Sequence, residues 1–255
     1  MKTVLTIAGS DPSGGAGVQR DLETFHDLGV RGLSVIAALT AQNSTVVRAA
    51  EPVSAGFLKK QAEALFEEFR IDAVKIGMTG SGENLRAIRG LIKRYGLKNV
   101  VLDPVMRSTG GKPLLEKAGI AELKRLLPHV TLVTPNLPEA AILTGVKEIK
   151  DIKGMEEAAK ALFEMGAPNV LVKGGHLKGE PFDVFYDGRS FGYYKNERLR
   201  GGAGRFHGTG CILSAAIAAG LALGKRRGPG WGRVETAVFD AKGYLMKVLR
   251  NRPSA

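Results

Sequence analysis

The chain has 255 residues, 44% hydrophobic, 24% charged and 6% aromatic, proportions that exclude a disordered or collagen-like chain and are enough for one large core. Thirty-seven Lys and Arg stand against 25 Asp and Glu, a net charge of +12, which favours anionic partners: nucleic acid, a membrane surface or phosphorylated small molecules. A lone cysteine, Cys211, excludes an internal disulfide and argues against a cysteine-built metal site.

The opening MKTVLTIAGS has no basic leader, long apolar run or cleavage site. It reads as a first strand, and the protein is expected in the cytoplasm. In chain order the sequence predicts a strand over Thr3–Ala8, a helix over Gly15–Leu28, a strand over Ser34–Leu39 and a helix over Ser54–Phe69. A strand over Ala73–Ile76, a helix over Glu83–Tyr95, a strand over Asn99–Asp103 and a helix over Leu115–Leu127 follow. Then come a strand over Val130–Thr134, helices over Pro138–Leu143 and Ile152–Met165, and a strand over Asn169–Lys173. These strands are continuous apolar runs, the pattern of a parallel sheet covered on both faces. After Gly179 the pattern changes. Asp183–Tyr186 and Phe191–Tyr194 flank Asp187-Gly188 as a hairpin with a type I′ turn. The glycine-rich run Gly201–Gly210 opens a helix over Cys211–Leu223, and a last helix spans Val234–Leu249. The apolar stretch from Cys211 to Gly224 is 14 residues long, too short to cross a bilayer. Repeated βα units place the chain in the α/β class as one domain over 1–255, and the hairpin favours an open sheet over a barrel.

Between Lys225 and Arg252 stand eight basic and two acidic residues. No zinc-finger, RNP or basic-zipper pattern accompanies them. The excess therefore reads as solvated surface, with no nucleic-acid or membrane partner expected.

Three places carry chemistry. The first is Gly9-Ser10-Asp11-Pro12-Ser13-Gly14-Gly15-Ala16-Gly17, directly after the first strand. Glycines there let backbone approach a ligand, and the helix N-terminus beyond favours an anion. The run matches neither the dinucleotide fingerprint nor a Walker A loop. It reads equally as a turn with Ser13 or Asp11 as helix cap. The second is Gly208-Thr209-Gly210-Cys211, where small residues at a helix start expose amides that can cradle an anion. The helix dipole there should favour a Cys211 thiolate. Cys211 is a nucleophile, a polar group beside a reacting hydroxyl, or an inert core residue. His207 is close by, but the sequence assigns it no Asn or Asp orienter. The third is a set of polar residues at strand ends: Asp103, Asn136, Glu139 and Lys173. Two carboxylates, an amide and a lysine on one sheet edge suit Mg²⁺ with a polyphosphate. Asp103, Asn136 and Glu139 also have ordinary roles at helix starts.

Taken together, Thr6–Gly17, Ala41–Asn43, Lys75–Met78, Leu102–Met106, Thr134–Ala140, Val172–His176 and His207–Ala215 resemble hydroxymethylpyrimidine phosphate kinases. These are the thiamin-biosynthesis branch of the ribokinase-like superfamily, and the resemblance covers nearly the whole chain. It implies a single-domain ribokinase-like fold, a mainly parallel sheet flanked by helices on both faces, and a homodimer. It implies ATP with Mg²⁺ as phosphoryl donor. The acceptors are 4-amino-5-hydroxymethyl-2-methylpyrimidine and then its monophosphate.

The resemblance also implies residue roles. Asp21 and Gln42 are expected to hydrogen-bond the pyrimidine ring, with Gly9, Met78 and Val105 lining its pocket. Gly208, Thr209, Gly210 and Cys211 match the superfamily anion hole. Many sugar kinases of the superfamily carry an Asp base where Cys211 stands. Cys211 either takes the hydroxyl proton or positions the hydroxyl. Asp103 and Glu139 match positions that handle Mg²⁺. Lys173 matches a residue at the nucleotide phosphates, with Asn136 and Thr209 on the ATP side. The loop Met106–Pro113 is expected to close over the phosphates. The alternative is a pyridoxal or pyridoxine kinase, or a dual-specificity vitamin kinase; Gln42 and Met78 favour the pyrimidine.

Overall fold

A computed structural model describes residues 1–252 apart from 44, 109, 176, 178–180, 196, 198–205 and 229. The start of the glycine-rich run (201–205), His176, and Thr109 in the loop expected to close lie outside the described residues.

Among the described residues nine strands form one sheet in the order β3-β2-β1-β4-β5-β6-β7-β8-β9. They are β1 (Thr3–Ser10), β2 (Arg31–Gln42), β3 (Val47–Pro52), β4 (Ala73–Ile76), β5 (Val100–Leu102), β6 (Leu132–Val133), β7 (Val170–Lys173), β8 (Phe182–Tyr186) and β9 (Phe191–Lys195). From β2 to β7 every neighbouring pair is parallel; β3, β8 and β9 add antiparallel margins. The helices are α1 (Gly17–Asp27), α2 (Ala55–Glu68), α3 (Gly82–Tyr95), α4 (Lys117–Leu126), α5 (Leu137–Thr144), α6 (Ile152–Glu164), α7 (Thr209–Leu223) and α8 (Arg233–Asn251).

The apolar runs make this architecture because alternate residues of a strand face opposite ways. Leu5, Ile7, Val74, Ile76, Val100, Val133 and Val170 join Leu58, Leu85, Leu123 and Met155 of α2, α3, α4 and α6 in one core layer. Val4, Ala73, Val101, Leu132 and Leu171 join Phe25, Leu213, Ile217 and Val238 of α1, α7 and α8 in the other. No helix among the described residues is long and apolar enough to cross a membrane. The chain passes from β1 to β2 on one side and on to β4 on the other. That reversal opens a crevice at the strands' carboxyl ends, where ligands of open α/β sheets sit.

Two local expectations change. Strand β3 carries Val-Arg-Ala-Ala-Glu-Pro, which has no apolar run because one edge is exposed, so periodicity misses it. The hairpin loop is not a two-residue type I′ turn: Tyr186 pairs with Phe191, leaving residues 187–190 outside the ladder. Asp187 Oδ1 accepts from the Arg189 and Ser190 amides at 2.8 Å each, an Asx turn that lengthens the loop.

Candidate active site

Lys173, the last residue of β7, reaches Asp103 just beyond β5, with Nζ 2.7 Å from Oδ1. Asp103 is 2% exposed. Burial alone would depress the Lys173 ammonium, but the carboxylates of Asp103 and Glu139 outweigh it and raise it. Asn136 bridges to Lys173 through the backbone and starts α5 with a capping box. Its Oδ1 accepts from Glu139 N, and Glu139 Oε2 accepts from Asn136 N, both at 2.9 Å. Both readings of these residues thus coexist: they cap a helix, and they stand beside the Asp103–Lys173 pair. Burial lifts the Glu139 carboxyl to about 7, with Lys173 opposing and Asp103 adding.

The loop after β1 folds around Asp11. One Asp11 oxygen accepts from Ser13 N at 2.9 Å and Ser13 Oγ at 2.7 Å. The other accepts from Ala16 N at 2.8 Å and meets His207 Nε2 at 2.9 Å. The cap position of α1 is Ala16, without a side-chain bond of its own, so neither Ser13 nor Asp11 is the cap. Gly208, with φ +76, opens α7, and a Cβ on it would lie 1.9 Å from Gly15 O. Only glycine permits that approach. A Cβ on Gly210 would stand 3.2 Å from Asp103 Oδ2 and 3.3 Å from Lys173 Nζ. The first turn of α7 therefore lies between the β1 loop and the Asp103–Lys173 pair, and the three stretches singled out in the sequence meet at one place. Thr209 and Cys211 belong to that turn.

Cys211 departs from the expectation of a dipole-favoured thiolate. Burial pushes its thiol up, only partly opposed by Lys75, with Asp21 and Asp103 adding to the rise. His207 has the acidic partner the sequence did not reveal, because Asp11 is distant in the chain. Lys75 was missed too: a lysine within Ala-Val-Lys-Ile gives no sign of its partner. Its Nζ lies 2.7 Å from Asp21 Oδ2, and both side chains are fully buried.

Asp21 has no exposed surface for the expected ring contact. Its Oδ2 also accepts from Thr6 Oγ1 at 2.6 Å, while Oδ1 has no hydrogen-bond partner among the described residues. The other expected ring neighbours gather at the strand ends. A Cβ on Gly9 would be 3.1 Å from Met78 Sδ. Val105 N donates to Asp103 O at 2.8 Å, and Gln42 ends β2, the strand paired with β1. Arg107 and Pro113 form an isolated bridge, and Lys112 Nζ bonds Arg48 O of β3.

A depression of about 690 Å³ lies at the opposite, amino-terminal edge of the sheet, lined by Lys2, Arg31, Arg70 and Asp72 among others. None of the residues above touches it, and sheet topology places ligands at the other edge. No three His, Cys, Asp or Glu among the described residues converge as a ready-made metal ligand set.

The profile of the phosphomethylpyrimidine kinase family matches residues 11–255. A hydroxymethylpyrimidine/phosphomethylpyrimidine kinase of Rhizobium meliloti (strain 1021) is 50% identical over 248 residues, covering 94% of this chain and 88% of the relative. The crystal structure of phosphomethylpyrimidine kinase from Clostridium difficile 630 superposes with a TM-score of 0.84 at 39% identity, covering 98% of this chain and 100% of that one. The pyridoxal kinase of Staphylococcus aureus, solved with AMP-PCP and pyridoxal, superposes at 0.86 with 33% identity, covering 98% and 88%.

Proposed function

The chain belongs to the phosphomethylpyrimidine kinase family, and from that premise we propose how its residues serve the reaction. It is an ATP-using phosphotransferase of thiamin biosynthesis, a hydroxymethylpyrimidine and phosphomethylpyrimidine kinase with a ribokinase-like fold. The observation that carries the residue assignment is the convergence of the Asp103–Lys173 pair on the first turn of α7.

Phosphoryl transfer passes through a loose transition state, so positioning and charge stabilisation dominate. Lys173 faces the nucleotide phosphates and offsets their charge. The amides of Gly208, Thr209, Gly210 and Cys211 receive the migrating phosphoryl oxygens in a water-poor crevice. Asn136 and Thr209 stand on the ATP side. Asp103 and Glu139 are the residues to hold Mg²⁺: they are two buried carboxylates, and Asp103 helps to keep the Glu139 carboxyl up at about 7. When bound, Mg²⁺ supplies neutralising charge for the phosphate oxygens.

The aminopyrimidine lies by Gly9, Gln42, Met78 and Val105, with Asp21 and Lys75 as a buried ion pair beneath. With its thiol pushed up by burial, Cys211 serves to orient the acceptor hydroxyl. The loop 106–113 closes over the phosphates. The whole chain acts as one kinase domain, as a homodimer in the cytoplasm.

A second reading keeps the same chemistry but takes pyridoxal as acceptor, favoured by the likeness to the S. aureus pyridoxal kinase. Parallel ATP-consumption assays with the aminopyrimidine alcohol, its monophosphate and pyridoxal separate the two. We expect the higher kcat/KM with the pyrimidines. A higher value with pyridoxal would replace the acceptor assignment.

A further inference from the structure

We infer that Asp11 and His207 form a clasp that holds the β1 loop against the first turn of α7 and thereby sets where the Gly208–Cys211 amides stand relative to the acceptor pocket. The inference rests on the role proposed above for those amides.

Asp11 is 2% exposed, and its carboxylate is the meeting point of two chain segments. Ser13 and Ala16 donate to it from its own loop; His207 donates across the crevice at 2.9 Å. A carboxylate only accepts, so the proton of that bond is on Nε2. The Asp11 backbone is fixed as well. Its amide donates to Gln19 Oε1 at 2.9 Å, and Gln19 Nε2 donates to Ser10 Oγ at 2.8 Å.

His207 immediately precedes Gly208, whose backbone rests on Gly15 O. The His207 carbonyl accepts from Arg252 Nη1 at 2.9 Å, so the end of α8 steadies the same residue. One buried carboxylate therefore ties the loop after β1 to the residue that immediately precedes the anion hole. A misplacement of about 1 Å between reacting groups costs roughly 100-fold in rate, so a clasp here affects turnover more than nucleotide binding.

Gly15 offers an independent way to open the clasp. A Cβ on Gly15 would fall 2.4 Å from His207 Cδ2 and push the ring from Asp11. The test compares His207→Ala, His207→Gln, Gly15→Ala and the Gly15→Ala/His207→Ala double variant with the wild type. Each is measured for kcat, for KM of ATP and of the pyrimidine, and for Tm.

We expect His207→Ala to lower kcat about 10- to 100-fold while KM for ATP stays within about 3-fold. The amide of His207→Gln still donates to Asp11 and recovers most of the loss. Gly15→Ala lowers kcat on its own but costs little more in the His207→Ala background, since the clashing ring is gone. The clasp is refuted if His207→Ala turns over within about 2-fold of wild type, if Gln rescues no better than Ala, or if the two losses multiply. Should His207→Ala fail to fold, Gly15→Ala against His207→Gln carries the same decision: both losing kcat equally overturns the clasp. A wild-type protein that leaves the pyrimidine unphosphorylated would instead refute the assigned function.

Discussion

The first turn of α7 offers a helix dipole that favours an anion, yet burial at Cys211 acts the other way and prevails. A thiol held up in this manner aligns a hydroxyl better than it captures a proton near neutral pH. We expect Cys211→Ala to lower kcat roughly 100-fold with little change in KM for ATP, because the role proposed for the lost group is at the acceptor and not at the nucleotide. Steady-state kinetics with each substrate varied is the check. An unchanged kcat would remove Cys211 from acceptor alignment. Lys75 shows the complementary case. Burial works against its charge, but the Asp21 carboxylate 2.7 Å away outweighs that and keeps it protonated. Removing one partner of a buried ion pair would leave the other charge uncompensated, and here the partners are 54 positions apart in the chain.

At the scale of elements, α5 ties structure to chemistry. Asn136 and Glu139 satisfy each other's amides in the capping box while standing beside Lys173. Asn136→Ala removes the side-chain acceptor for Glu139 N, and a lost cap costs about 1 kcal/mol. In a chain of this size that lowers Tm by about 2–4 °C, to be read by calorimetry. An unchanged Tm would mean that the cap contributes nothing to stability. Strand β3 and the 187–190 loop were the elements least legible in advance. The first has an exposed margin and no periodic apolar face. The second has an aspartate whose side chain competes with the two-residue turn that Asp-Gly otherwise signals. Buried strands and amphipathic helices were legible because each carries its own burial pattern in consecutive residues.

For the molecule as a whole, several carboxylates tie distant segments together. Asp72 accepts from Lys2 Nζ at 2.8 Å and from Thr3 N at 2.9 Å, fastening the start of β1 beside β4. Burial alone would raise its carboxyl, but Lys2 and the Thr3 amide outweigh that and hold it below the usual value of 3.8. A lowered folded-state value contributes stability above the unfolded value, and that stability is lost as pH falls through the folded one. Asp72→Asn should therefore lower Tm by about 2–4 °C at pH 7, and the gap should be smaller at about pH 3, below the unfolded-state value. Thermal melts at both values decide it; a gap that stays constant would show that the Asp72 charge is not its origin. The amino-acid sequence by itself determined the α/β class, nearly every strand and helix, and the residue types gathered for phosphoryl transfer, since periodicity and glycine placement are local properties. Only the tertiary structure decided that His207 meets Asp11, that Asp21 belongs to Lys75 and has no open face, and that Gly210 abuts the Asp103–Lys173 pair. Those pairings follow from strand order and from the close approach of two glycine-rich loops, and no stretch of neighbouring residues encodes either.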